Sequence, residues 1–374
     1  MNRLKSTPIL WSLLLTLYIG VMLAAYTHKQ SVPKEPYPWA GTGLGIWISG
    51  EELASRPTSG TAWNQLKAVA DQNAGKPNIS DKNQMNDVFV LAKALVWART
   101  GENRYREEVI DNIIAAIGTE AGGKTLALGR NLAAYVIAAD LINLAADPEQ
   151  DKVFRAWLRD TLTETLDGRT LQSTHEVRPN NWGTFAGASR AAVAVYLGDT
   201  AELERSAQVF KGWLGDRNAY AGFRYRSDLS WQADQENPVG IVPPGAVKQG
   251  YSIDGALPEE MRRGGEFQWP PQETGYPWGA LQGALVLAEI LHRAGYPAWE
   301  WGDRALLRAA QFLYDIDWEP EGDDEWQPWL INHAYSTAFP ATTPARPGKN
   351  MGWTDWTHSE HHQKAREKLD ELTN

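Results

Sequence analysis

The chain predicts an all-α fold, specifically an α/α toroid or incomplete α/α barrel of paired helices with long loops at its active centre. Three observations predict it. Apolar residues recur at helical spacing through most of the first 215 positions, with no strand-and-turn rhythm. Helices that are apolar on nearly every side alternate with helices carrying one apolar stripe, as an inner and an outer ring require. Short Thr-Gly and Gly-Asp turns join them, and no fixed repeat period argues for a solenoid instead.

The elements follow in order. Gly50-Glu51-Glu52-Leu53 opens a short helix that Thr58-Ser59-Gly60 breaks. Residues 61–71 place Trp63, Leu66 and Val69 on one face, and 88–99 carry a stripe of Val88, Leu91, Ala92, Leu95 and Val96. Thr100-Gly101 stops that helix, and 103–117 follow with Tyr105, Val109, Ile113 and Ile117. Residues 130–144 are nearly all apolar, 151–164 amphipathic, 184–197 small and apolar, and 201–214 amphipathic again. Residues 215–275 change character, rich in Gly, Pro, Arg, Tyr and Trp with little periodicity, and a loop of that length inside a compact domain is usually functional. Helices resume over 278–294 and 299–315. From His358 onward the sequence reads as a charged, solvated tail, 358–374.

Composition narrows the function. An apolar share of 43% is enough for a large core, and the normal charged share excludes a disordered chain. A net charge of −10 argues against a nucleic-acid partner, although a groove on an acidic protein can still be locally basic. Eighteen Trp and thirteen Tyr provide flat faces with polar edges, which suit both core packing and sugar rings. There are no cysteines, so thiolate nucleophiles, thiolate metal sites and disulfides are excluded. His358, His361 and His362 have helix-face spacing but sit in the charged tail. No metal or other cofactor is expected.

Arg3 and Lys5 precede an uncharged run over 8–27, which reads as a signal peptide or an uncleaved N-terminal membrane anchor within 1–30. Either places residues 31–357, the helical domain, in the periplasm or outside the cell, with membrane anchoring in the second case.

Two polar stretches stand out. In Thr174–Asp199, Pro179 keeps Arg178 extended, and Asn180, Asn181 and Trp182 then stand at the mouth of a small-residue helix. Two carboxamides there offer several donors to an anion, whereas capping the helix would use only one. The second stretch, Tyr251 to Tyr276, holds Arg262 and Arg263 among Asp254, Glu259, Glu260, Glu266 and Glu273, and leads into another small-residue helix.

R-P-N-N-W-G-T, then D-G-A-L-P-E-E-M-R-R-G, then a Tyr-led helix ending L-V-L-A-E-I-L resembles the alginate lyase superfamily. The likeness extends through G-I-W-I-S-G-E-E-L and L-G-R-N-L-A-A-Y-V-I-A-A-D-L-I. That resemblance implies an α/α toroid cleaving polyuronates by β-elimination. It matches Asn181 to the residue holding the substrate carboxylate, Arg263 to the Arg of the second segment with Arg262 beside it, and Tyr276 to the catalytic Tyr. Trp182 stands where many members have a His general base, and F-Q-W-P-P-Q-E-T lengthens the interval from Arg263 to Tyr276.

The chemistry asks for such groups. The proton at C5 of a uronate is removed only if the adjacent carboxylate is neutralised, and preorganised donors stabilise the charge that develops. A guanidinium beside a phenol favours the phenolate, so Tyr276 would serve as base and then acid. If a separate base acts, His175 is nearest in sequence and His333 next. Arg130 and Asn131 are candidates for a second uronate, Asn180, Trp182 and Glu260 for further substrate contacts, and Trp269, Trp278 and Tyr335 for stacking. The expected function is therefore an exported polysaccharide lyase acting on an acidic polysaccharide. A toroidal glycoside hydrolase using Glu259 or Glu260 with Asp254 or Glu273, and a non-catalytic glycan-binding envelope protein, are the alternatives.

Overall fold

The computed structural model describes residues 45–359; the expected export segment, the Pro-rich stretch before Gly45 and the tail from 360, including His361 and His362, lie outside the described residues. Among the described residues, regular structure comprises fourteen α-helices, four short 3₁₀ turns and one two-stranded hairpin. The all-α expectation holds.

Helix α1 (Gly50–Ser55) begins with a reciprocal cap: the Ser49 hydroxyl accepts from the Glu52 N–H at 3.2 Å, and the Glu52 carboxylate accepts from the Ser49 N–H at 2.7 Å. Then come α2 (Thr61–Ala70), α3 (Asn86–Thr100), α4 (Asn103–Ala116), α5 (Thr125–Leu141), α6 (Pro148–Thr163), α7 (Leu171–Val177), α8 (Asn181–Leu197) and α9 (Thr200–Trp213). The long interval that follows contains only the hairpin β1 (Val247–Lys248) and β2 (Tyr251–Ser252), with Lys248 opposite Tyr251, and the single turn α10 (Pro258–Met261). Helices α11 (Tyr276–Arg293), α12 (Trp301–Asp315), α13 (Gln327–Tyr335) and α14 (Thr354–Thr357) complete the order.

Burial separates the two rings. Sixteen of the seventeen residues of α5 and fifteen of the seventeen of α8 are buried. Only four of fourteen are buried in α4 and seven of fourteen in α9. So α3, α5, α8 and α11 form the inner set and α2, α4, α6, α9 and α12 cover it. The small residues let the inner helices touch backbone to backbone. A side-chain carbon at Gly283 of α11 would lie 2.4 Å from the Phe185 nitrogen, and one at Gly129 of α5 would lie 2.9 Å from the Ala186 nitrogen. Ser189 of α8 donates to the Gly129 carbonyl at 2.8 Å and accepts from the Ala133 N–H at 3.0 Å. Contacts therefore advance in the same direction along α5, α8 and α11 (129 and 133 against 186 and 189; Gly283 against Thr184, Leu287 against Gly187). The three helices run parallel and deliver their N-termini to one end.

The ring is drawn together by late residues reaching back to early ones. Trp353 donates to the Val88 carbonyl, Trp356 to the Pro57 carbonyl at 2.9 Å, and Arg293 makes paired bonds of 2.8 and 2.9 Å to Glu52.

Several boundaries differ from expectation. Helix α5 starts at Thr125, five residues before Arg130, with Gly129 held inside the helix by its contact with α8. Thr174 and His175 lie in α7 rather than in a loop, since Thr170 and Ser173 form a capping box. Helix α13 has no clear periodic stripe, though Pro328 in its first turn suits a helix start. Helix α12 is preceded by a 3₁₀ turn at Ala298–Glu300, and Gly302, Asp303 and Arg304 take left-handed backbone angles at its start. His358 is not part of a solvated tail: it is buried, 5.2 Å from the Trp47 ring and 4.9 Å from the His333 ring.

Candidate active site

At the common end of the inner helices, Asn180 holds an extended backbone (φ −116°, ψ −174°) and α8 starts at Asn181. The Asn180 side chain does not cap the helix, and its Oδ1 is buried with no hydrogen-bond partner. Glu260 of α10 caps it instead, its Oε1 accepting from the Asn181 backbone N–H at 2.5 Å. A carboxylate at a helix N-terminus also meets the positive end of the helix dipole. The turn admits only glycine two residues later, because a side-chain carbon at Gly183 would lie 1.9 Å from the Arg178 carbonyl oxygen. Asn181 thus has its backbone fixed and its carboxamide unused by any other described residue.

Glu260 is almost wholly buried and its Oε2 has no partner. Burial pushes its pKa up to about 7 from 4.5, against the pull of the Asn181 N–H and of Arg263. The folded state therefore holds this proton more tightly than the unfolded chain. The stability contributed by the neutral form is complete below pH 4.5 and is lost as pH rises through about 7. The size is about 3 kcal/mol. Glu260→Gln keeps an acceptor for the Asn181 N–H without a charge, so the thermal unfolding midpoint of that variant should fall less between those pH values than that of the wild type does. Buried Asp324 and Asp355, raised to about 7 and about 6, leave part of the decline in place. Identical profiles for the two proteins would show that Glu260 ionises as freely in the fold as in water.

Beside Asn181 opens a cavity of about 280 Å³. Arg130, Asn181 and Tyr276 line it, with Gly275, Gly279 and Gln282 of the α11 side and Asp323, Asp324 and Lys349 from late loops. Tyr276, the first residue of α11, is 39% exposed, and the Arg263 guanidinium lies over its ring at 4.0 Å. Arg263 therefore braces the face of the phenol. Arg130 lies over the Phe185 ring at 5.0 Å and its buried Nε has no partner. Burial lowers its pKa, with Asp323, Asp324 and then Tyr276 working in the opposite sense.

The far wall is a polar chain that the sequence reading did not find. Lys349 pairs with Asp323 at 2.9 Å and its N–H donates to Gln282 Oε1 at 2.8 Å. The Gln282 amide donates in turn to Asp324 Oδ1 at 2.7 Å, as does Gln327. Gln282 was detectable as the one polar residue in A-L-Q-G-A-L-V-L, a buried amide in need of partners; Asp323, Asp324 and Lys349 had no comparable signal.

Other expected site residues are placed elsewhere. His175 is buried against Gly187 of α8, where Arg190 faces its Nδ1 at 3.5 Å, and burial followed by the Arg190 charge holds its pKa well below the usual range. Its neutral ring faces no part of the cavity, because α7 packs on the flank of α8 and not at its mouth. Asn131 donates to the Ile79 and Asp81 carbonyls at 3.2 and 3.1 Å and serves to tie that loop to α5. Trp269 stacks on Tyr251 at 4.7 Å. Trp278 is a core residue donating to the Trp318 carbonyl, and Tyr335 is buried with its hydroxyl on the Trp299 carbonyl. Trp182 is half-buried under Arg178, and Arg262 pairs with Glu259.

His333 lines a different cavity, of about 600 Å³, around the C-terminal end of α11 with Glu52, Glu289, His292 and Arg293. Although larger, it suits an acidic sugar poorly: its Arg293 is already bound by both Glu52 and Glu289, and Glu300 adds a further negative charge. Three of the four carboxylates of the hydrolase alternative, all but Glu273, are engaged. Asp254 pairs with Arg308 at 2.6 Å, Glu259 with Arg262, and Glu260 caps α8.

Three parallel inner helices thus bring an arginine, a carboxamide and a phenol to one cavity of an all-α protein. Residues 47–227 match the family model described as alginate lyase, which supports membership of the alginate lyase superfamily. No curated protein matches the chain.

Proposed function

We propose that the protein cleaves a uronate-containing polysaccharide by β-elimination at the Tyr276 cavity. The supporting observation is that Arg130, Asn181 and Tyr276, remote in sequence, line one cavity. The substrate carboxylate sits between the Asn181 carboxamide and the Arg130 guanidinium, near the positive ends of α8 and α11. Neutralised there, it makes the C5 proton acidic enough for the Tyr276 oxygen to remove. The electron pair left at C5 forms the C4–C5 double bond, the C4–O bond breaks, and the proton passes from Tyr276 to the departing glycosidic oxygen. Arg263 holds the phenol ring in place through its face. This scheme uses no histidine, which accords with Trp182 at the position where many relatives have one. The apolar run following Arg3 and Lys5 supports action outside the cytoplasm.

The test is the chemistry of the product. Incubated with alginate, polymannuronate, polyguluronate and polyglucuronate, the protein should release ultraviolet-absorbing unsaturated ends from at least one. New reducing ends without unsaturation would establish the hydrolase instead, and binding without any product would establish the glycan-binding alternative.

A further inference from the structure

The turn just before Asn181, packed against Gly183, carries a second concentration of positive charge. Arg178 stacks over the Trp182 ring at 5.0 Å, and its buried Nε has no hydrogen-bond partner. The Arg224 N–H donates to the Val177 carbonyl at 2.9 Å, which lays the Arg-Tyr-Arg segment, with Arg224 and Arg226 exposed and Tyr225 half-buried, alongside the Arg178 turn. Burial first, and then repulsion from Arg169, Arg226 and Arg262, disfavours the Arg178 cation. The one carboxylate acting in the opposite sense, Glu259, is already paired with Arg262. Among the described residues Arg169, Arg178 and Arg226 form no ion pair, in a chain with 46 acidic and 36 basic side chains. Mutually repelling cations left unpaired on an acidic protein are a local basic surface suited to an incoming anion.

We propose that Arg178, held over Trp182, and Arg226, on the segment bonded to its turn, form a second anion subsite that holds an acidic group on a sugar beyond the one at Tyr276. The substrate is then read as a chain bearing repeated negative charge, one group at Asn181 and Arg130 and another at Arg178 and Arg226. The second group is a carboxylate of a further uronate or a sulfate ester; a guanidinium binds either through paired oxygens. Trp182, half-buried beneath Arg178, fixes the orientation of that guanidinium.

This subsite rests on the polyuronate reading above, and the two fail separately. The full chain carrying Tyr276→Phe is titrated by calorimetry with a uronate disaccharide, a uronate hexasaccharide and a sulfated uronate hexasaccharide. Adding the exposed-site change Arg226→Ser should weaken hexasaccharide binding about tenfold and leave the disaccharide within about twofold. Arg178→Gln should do the same, and because Arg226 is exposed, its result stands even if the Arg178 variant folds poorly. Dependence on these arginines for the sulfated hexasaccharide alone would identify the second anion as sulfate, and for both as either oxyanion. Equal loss at both lengths, no loss at either, or no hexasaccharide binding at all would overturn the subsite. If the wild type yields no unsaturated end from any polyuronate while the length-dependent loss persists, the elimination reading falls and the subsite stands.

Discussion

Tyr276→Phe should give a folded protein that binds polyuronate and turns over essentially none of it. The side chain is 39% exposed, and its ring is held by Arg263 through the π face, which phenylalanine retains. Its hydroxyl makes no hydrogen bond to another described residue, so deleting it removes nothing from the fold. The unfolding free energy should move by no more than about 0.5 kcal/mol, as for other surface changes. Turnover loses the group that both takes and returns the proton, and a positioned acid–base group contributes about 10²–10⁴-fold. Unsaturated-end release should fall by at least the lower of those factors, with binding affinity preserved. A variant retaining near wild-type turnover would remove Tyr276 from the reaction.

Loss of the carboxylate clamp has the next largest effect. Asn181→Ala removes a carboxamide that no other described residue uses, while leaving the backbone N–H that Glu260 holds. Arg130→Gln removes the cation that lines the same cavity and whose Nε lacks a partner. Donors aimed at developing negative charge contribute about 10²–10³ in kcat. Each variant should lose turnover on that scale, the loss falling mainly in kcat because the charge on the carboxylate group grows in the transition state. The combined variant should lose less than the product of the two, since both act on one group. A rise in KM with kcat unchanged would mean the two residues bind the substrate without assisting the chemistry.

The fold was legible because its physics is local. Helical spacing in α3, α4 and α9, and the unbroken small-residue runs of α5, α8 and α11, state which helices are inside and how closely they approach. Less legible was where α5 begins: Gly129 lies inside it, ahead of the apolar run from Arg130, and its missing side chain is what admits α8. In the site, Asn181 was legible at the mouth of a small-residue helix and Tyr276 through the family resemblance, and parallel packing brings them together. Roles that depend on which way a side chain turns were not. Asn131 follows Arg130 directly, yet one is spent on the Ile79 and Asp81 carbonyls and the other lines the cavity. His175 is only a few residues from Asn181, but α7 carries it to the flank of α8. Asp323, Asp324 and Lys349 come from irregular chain whose position no periodicity encodes.

The central claim is that one acidic sugar meets the amide, the guanidinium and the phenol together. A crystal structure of the Tyr276→Phe variant soaked with a uronate oligosaccharide tests it most directly. The expected result is a carboxylate between Asn181 and Arg130 with C5 turned toward position 276. A sugar seated instead in the larger cavity by Glu289 and His292, with the Tyr276 side empty, would contradict it.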